Sequence, residues 1–170
     1  MVELGLLAPD SHVQLIDGEI LEMPPQGAPH SATIGVIYEA LQTIFKGRPF
    51  HARSQMPLLV RDYSEPEPDL AVVRGQIRDY MRAHPVASDV VLAVEIAGST
   101  IDLDRRRKAK IYAQAGIPEY WIVAIQERAL EVFTGPGTGG YERHVVLQPG
   151  DTVSPAAKPD AKIDVASLLP

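Results

Sequence analysis

The sequence predicts a single α+β domain over residues 1–170, with a mixed central sheet flanked by helices. Three observations support this class. The chain has 170 residues, which is enough for one domain with a substantial core. Apolar runs of strand length occur in clusters, and segments with helical spacing lie between some of them. A helical segment joins two strands directly in the second half of the chain, so we expect those strands to be parallel.

Turn residues and apolar spacing define the elements of the first half. Asp17-Gly18 between two short apolar-bearing segments is typical of a two-residue hairpin turn. A proline-rich stretch then breaks the chain, and apolar residues recur at steps of three and four after it, as in a helix. The predicted elements are a hairpin (13–16 and 19–23), a helix from His30 to a stop at Gly47, one or two strands within 50–60, and a strand that Asp69 opens.

The second half alternates apolar strands with turns and one further long helix. Gly116 gives that helix a C-terminal stop, and the glycine-rich stretch 135–140 is interpreted as a hairpin loop. The predicted elements are a short helix or lid (74–84), a strand (90–97), a turn (98–100), a helix (104–115), a strand after Pro118, a hairpin (129–134 and 141–147) and a terminal helical turn (164–168).

Composition excludes several classes of protein. The absence of cysteine excludes a disulfide scaffold and thiolate metal sites, and it is consistent with a cytoplasmic protein. No apolar run approaches the ~20 residues that span a bilayer, and the N-terminus lacks the basic start of a secretory signal, so no membrane contact is expected. A net charge of −6 argues against a strong, indiscriminate nucleic-acid binder.

Two acidic residues in apolar surroundings are the most informative feature of the chain. Asp69 opens the run Leu-Ala-Val-Val, and Glu95 lies inside the strand predicted at 90–97. A carboxylate in such a strand is costly to bury unless it is paired, and two on neighbouring strands repel each other. A divalent cation between them removes both costs, which predicts a metal-dependent phosphodiesterase site. Asp69 as a turn residue and Glu95 paired with an arginine remain the alternatives.

The predicted helix that follows the Glu95 strand carries further candidate site residues. Asp104, Lys108 and Tyr112 are spaced at i, i+4 and i+8, so they share one helix face that can point toward the carboxylates. A lysine there can orient water or stabilise developing negative charge. The alternative is that the basic stretch 105–110 is only a solvated helix face.

These motifs together resemble the Uma-two family of restriction endonucleases, in the PD-(D/E)xK nuclease superfamily. The resemblance covers about residues 12–169 and implies a restriction-endonuclease-like fold. Its most specific part is the Gly-Ile-Pro-Glu-Tyr-Trp segment at 116–121. The other matching positions are Asp17-Gly18-Glu19-Ile20, His30, Pro68-Asp69, Glu95, Asp104, Lys108, Tyr112, and the C-terminal stretches 149–153 and 164–169.

The resemblance implies roles for individual residues. Asp69 and Glu95, with the carbonyl of Ile96, would hold Mg²⁺ or Mn²⁺. The superfamily lysine normally lies two residues after the second acid, where this chain has Ala97, so Lys108 would serve as a lysine that has moved to the helix. Glu19, His30 and Tyr112 would support the site. Ala124 departs from the family pattern, which often has Asp there.

The function predicted from these residues is metal-dependent hydrolysis of nucleic-acid phosphodiesters, with DNA favoured over RNA. A homodimer is an additional expectation by family analogy. One alternative is a non-catalytic accessory protein on the same fold, and another is a structural domain with Glu95 in a salt bridge. The basic residues predicted to approach the phosphate backbone are Arg74, Arg78, Arg105, Arg106, Arg107 and Lys110.

Overall fold

A computed structural model describes residues 12–47, 49–98 and 101–170. A six-stranded sheet forms the centre of this part of the chain, with the strands side by side in sequence order from β3 to β8. The β5–β6 pair is parallel and the other neighbouring pairs are antiparallel. The strands are β3 Phe50–Ser54, β4 Leu70–Arg74, β5 Val90–Ala97, β6 Glu119–Ala124, β7 Ala129–Gly137 and β8 Gly140–Leu147. The predicted α+β class with a mixed sheet is confirmed.

Helices cover both faces of the sheet. Helix α1 (Ala28–Ile44) buries Ile34, Ile37 and Leu41, which are spaced to form one apolar stripe. A continuous helical segment over 101–114 packs on the opposite face, with α2 (Ile101–Leu103), a π-helical stretch (Asp104–Lys108) and α3 (Ala109–Gln114) in succession. Because both faces are covered, every residue of β5 is buried.

Alternation along β5 decides which side chains meet which helix. Leu92, Val94 and Ile96 belong to the core beneath α1. Ala93 and Ala97 belong to the core beneath the 101–114 segment. Since successive side chains of a strand point to opposite faces, Glu95 is directed toward the 101–114 segment.

Two small antiparallel pairs complete the fold. The hairpin β1 (Val13–Ile16) and β2 (Glu19–Glu22) confirms the Asp-Gly prediction, and its turn has φ values of 49° and 81°, as a primed turn requires. Backbone hydrogen bonds between Leu15 and Glu65 hold β1 beside the segment that leads to Asp69. The other pair is β9 (Thr152–Val153) and β10 (Ile163–Asp164), followed by a 3₁₀ turn, Val165–Leu168, which agrees with the predicted terminal turn.

Several predicted boundaries were wrong. The segment 57–60 forms no strand and makes only an isolated bridge between Leu59 and Val86. The predicted lid at 74–84 contains only the 3₁₀ turn Ile77–Tyr80, and Arg74 is the last residue of β4. The glycine-rich stretch 135–140, predicted as a loop, is mostly strand, since β7 and β8 pair as far as Gly137 and Gly140. Residues 99 and 100 of the predicted turn lie outside the described residues.

No helix in the described ranges is long and apolar enough to cross a membrane.

Candidate active site

Asp69 lies at the start of β4, beside β5. Backbone pairing of the two strands reaches Leu70 opposite Val94, and Asp69 immediately precedes β4. Asp69 Oδ2 accepts a hydrogen bond from the Ile96 N–H at 2.7 Å, so its carboxylate extends the pairing beyond the strand. The side chain of Asp69 is 12% exposed. Strand register therefore fixes Asp69 next to the Glu95–Ile96 part of β5.

His30 is a second hydrogen-bond partner of the Asp69 carboxylate. Asp69 Oδ1 lies 3.0 Å from His30 Nε2. His30 is in the first turn of α1, directly after Pro29, and proline is favoured at such a helix start. The two oxygens of Asp69 therefore have partners from different elements, which restrict rotation of the carboxylate.

Glu95 is buried and has two hydrogen-bond donors on one oxygen. Lys108 Nζ lies 2.9 Å from Glu95 Oε1, and the Tyr112 hydroxyl donates to the same oxygen at 3.0 Å. Burial raises the pKa of Glu95 to about 8; Lys108 opposes this shift, and the nearby Asp104 and Asp69 add to it.

Lys108 is buried within a set of carboxyl groups. Burial by itself lowers the pKa of Lys108, but Glu95 and Asp104 outweigh it, and the pKa is raised. Lys108 Nζ lies 3.6 Å from Asp104 Oδ1 as well as contacting Glu95. The ammonium is therefore kept charged by neighbours of opposite charge in a site that excludes most water.

The helical segment that carries Asp104 and Lys108 is widened between them. The N–H of Ala109 donates to the carbonyl of Asp104, an i→i+5 bond that widens the turn. Asp104 and Lys108 are buried, whereas Arg106 between them is exposed. The two polar side chains therefore face inward at the two ends of the widened turn.

A cavity of about 110 Å³ joins these residues. The predicted residues along it are His30, Asp69, Glu95, Ile96 and Lys108, together with Asp104 of the predicted helix face. It adjoins a larger groove of about 620 Å³, since both are lined by Met23, Pro24, Gln26, Glu67 and Asp69.

Two further residues at this cavity were missed by the sequence interpretation. Gln14 is on the inward side of β1 with Ile16; alternation in the sequence pairs these two residues but does not show that their face, and not that of Val13 and Leu15, is inward. Glu67 lies two residues before Asp69 and lines the same cavity. Burial raises the pKa of Glu67 above its ordinary value, and Asp69 adds to the shift.

Other predicted site residues lie elsewhere. Glu19 is 64% exposed and pairs with Arg107, so it supports the hairpin's contact with the π-helical stretch. Tyr112 does not line the cavity and acts through its hydrogen bond to Glu95.

The predicted phosphate-contacting residues are dispersed and partly committed to ion pairs. Arg105 pairs with Glu127 and with the buried Glu131. Arg107 pairs with Glu19. Arg106 and Lys110 are exposed on the 101–114 segment. Arg74 lies over the Phe50 ring, and Arg78 borders a separate pocket with Phe50 and His51.

The side chains present fit a cation of the magnesium type. Among the described residues, no group of three or more histidines and acids is arranged to hold an ion by itself. Mg²⁺ is usually bound by one or two carboxylates and keeps several waters, so Asp69 and Glu95 at one cavity suffice. Gln14 Oε1, which is buried and has no hydrogen-bond partner among the described residues, is a further oxygen at the same cavity.

Comparisons with known proteins point to a family and a fold. Residues 2–166 match the model of the Uma-two family, whose description is "Putative restriction endonuclease". A crystal structure described as a "putative nuclease" of a domain family of unknown function, from Anabaena variabilis, has the same fold, with a TM-score of 0.79. It is 17% identical in sequence, and the match covers 98% of this chain and 94% of that one. No curated protein matches the chain.

Proposed function

We propose, from the premise that this chain belongs to the Uma-two family, that it is a metal-dependent endonuclease acting on DNA. The single observation that carries this proposal is the convergence of Asp69, Glu95 and Lys108 on one cavity, with Lys108 Nζ 2.9 Å from Glu95. Two acids and a lysine at one cavity can supply two elements of phosphodiester hydrolysis: an anionic site for a cation and a fixed positive charge.

Each residue of the proposed site has a distinct task. Asp69 and Glu95, with the Ile96 carbonyl, would hold Mg²⁺ or Mn²⁺. The bound ion supplies Lewis acidity toward water and the phosphoryl oxygens. Lys108 would donate hydrogen bonds to the attacking water or to the phosphoryl oxygens as negative charge develops. His30 and Tyr112 would orient Asp69 and Glu95 through the hydrogen bonds described above.

Plasmid nicking tests the proposal. Supercoiled plasmid incubated with the native chain and Mg²⁺ or Mn²⁺ should be nicked slowly, and EDTA should stop the reaction. Glu95→Gln should abolish nicking, because the amide keeps the side-chain size but loses the charge that binds the cation. Lys108→Met should reduce nicking strongly while Mn²⁺ binding persists.

A buried glutamate away from the cavity provides the matched control. Glu131 of β7 is 1% exposed, and it pairs with Arg105 and with His144 of β8. Glu131→Gln should lower stability yet retain nicking per folded molecule. Unchanged nicking by Glu95→Gln, checked by circular dichroism for folding, would defeat the assignment.

A non-catalytic, nucleic-acid-associated protein is the second candidate. Ala97 and Ala124 favour it, because they stand where the family resemblance expects the superfamily lysine and an acid. This candidate predicts metal-dependent DNA binding without nicking in any divalent ion, and the same plasmid assay distinguishes it from the nuclease.

A further inference from the structure

Gln14 is a buried amide that its own protein surroundings leave unsatisfied. It is 7% exposed, and it borders the cavity that contains Asp69, Glu95 and Lys108. Its Oε1 has no hydrogen-bond partner among the described residues. Buried side-chain oxygens are nearly always hydrogen-bonded, so this atom requires an explanation.

The strand that carries Gln14 holds the amide in place. Ile16, the next inward residue of β1, is fully buried in the core on that face of the sheet. Leu15 between them exchanges backbone hydrogen bonds with Glu65. The carbonyl of Ile16 also accepts a hydrogen bond from Arg107 at 3.4 Å. Gln14 therefore cannot turn outward without disturbing three contacts of its strand.

We propose that Gln14 is a further residue of the cation site, and that its amide oxygen binds the ion directly or through one water. This inference rests on the proposed function and extends it to a residue outside the two acids. An amide oxygen is a neutral donor suited to hard divalent cations. The cavity is already lined by five acids, so a neutral ligand adds an oxygen without adding repulsion. These acids are Glu22, Glu67, Asp69, Glu95 and Asp104.

Calorimetric titration of Mn²⁺ tests the role of the amide without relying on activity. Gln14→Met keeps the length of the side chain and removes the amide, and it should weaken Mn²⁺ binding by roughly tenfold or more. In EDTA its melting temperature should equal or exceed that of the native chain, since an unsatisfied buried acceptor is removed. Gln14→Glu should bind Mn²⁺ at least as tightly as the native chain but melt lower in EDTA, because it adds a sixth carboxyl group to the cavity.

The matched control is Gln26→Met. Gln26 borders the same cavity but is exposed, and its Oε1 accepts a hydrogen bond from Ser31. Its replacement should leave Mn²⁺ affinity unchanged.

The possible outcomes separate the two proposals. If native chain and Gln14→Met bind Mn²⁺ equally, the Gln14 inference is overturned and the proposed function stands. A lower melting temperature of Gln14→Met in EDTA with unchanged affinity would identify Gln14 as purely structural. If the native chain binds no Mn²⁺, both proposals are overturned. Should Gln14→Met fail to fold, weaker Mn²⁺ binding by Gln14→Glu than by the native chain would overturn the inference.

Discussion

At the residue scale, the candidate site is a set of buried ionisable groups that contact one another without metal. Glu95 and Lys108 are each about 4% exposed, and burying either alone would be costly. Lys108 and the Tyr112 hydroxyl occupy one oxygen of Glu95, and Lys108 also faces Asp104. The lysine therefore has a structural task in the metal-free protein, which explains how two acids can share the cavity with Asp69 before any cation binds.

The raised pKa of Glu95 makes the stability of the metal-free protein depend on pH. The folded pKa is about 8, against an ordinary value of 4.5. Between these values the folded chain retains a proton that the unfolded chain has released, so the free energy of unfolding falls as pH rises through this window. This single group contributes a slope of at most about 1.4 kcal/mol per pH unit.

Urea unfolding in EDTA from pH 5 to pH 8 measures this slope. Glu95→Gln lacks the titrating group but keeps Lys108, Tyr112, Asp104 and Asp69 around it. The variant should therefore lose less stability than the native chain as pH rises. Identical slopes for the two proteins would show that Glu95 does not titrate in this window.

At the element scale, the π-helical stretch positions the site. A π bulge corresponds to one residue inserted into an α-helix, and such bulges occur frequently at functional sites. Ile111 and Tyr112 anchor the helix C-terminal to the bulge in the core. The inserted residue therefore changes the direction of the side chains before it relative to those that follow.

Deleting Arg106 should remove the bulge and disrupt the site. Each residue of an α-helix turns by about 100°, so Asp104 and Arg105 would rotate away from Lys108 and Glu131. We expect metal-dependent nicking to fall by at least about tenfold and the melting temperature to decrease. Because Arg106 is exposed, Arg106→Ala should leave the melting temperature unchanged and reduce nicking much less than the deletion does. Equal behaviour of the deletion and the alanine variant would contradict this role of the bulge.

Local sequence signals predicted most helices and strands and singled out Asp69 and Glu95. They did not predict contacts that form only in the folded chain. Asp17-Gly18 identified its hairpin because the turn geometry is encoded in two residues. The spacing of Asp104 and Lys108 predicted a shared face but gave no sign of the bulge between them. Gln14 was missed because an amide in a short hairpin strand is usually solvated, and only the folded position of β1 buries it.

At the scale of the whole molecule, charge opposes DNA binding in the absence of a cation. The net charge is −6, and acidic residues at the cavity outnumber the one lysine and one histidine there. The acids around the cavity are Glu22, Glu67, Asp69, Glu95 and Asp104. A bound divalent ion would invert the local field, so phosphate should approach this surface only after the cation has bound.

DNA affinity should therefore depend on divalent cations and only weakly on monovalent salt. We expect fluorescence anisotropy with a short labelled duplex to detect binding in Ca²⁺, an oxygen-liganded ion, and much weaker binding in EDTA. The slope of log affinity against log salt should stay below about 3 in magnitude, which corresponds to roughly three phosphate contacts.

Arg106→Ala should reduce this slope by about one, because Arg106 is exposed. Arg105→Ala should leave the slope unchanged and lower the melting temperature, because the buried Glu131 would lose its arginine partner. A larger loss of DNA affinity for Arg105→Ala than for Arg106→Ala would show that Arg105 leaves its ion pairs to contact phosphate.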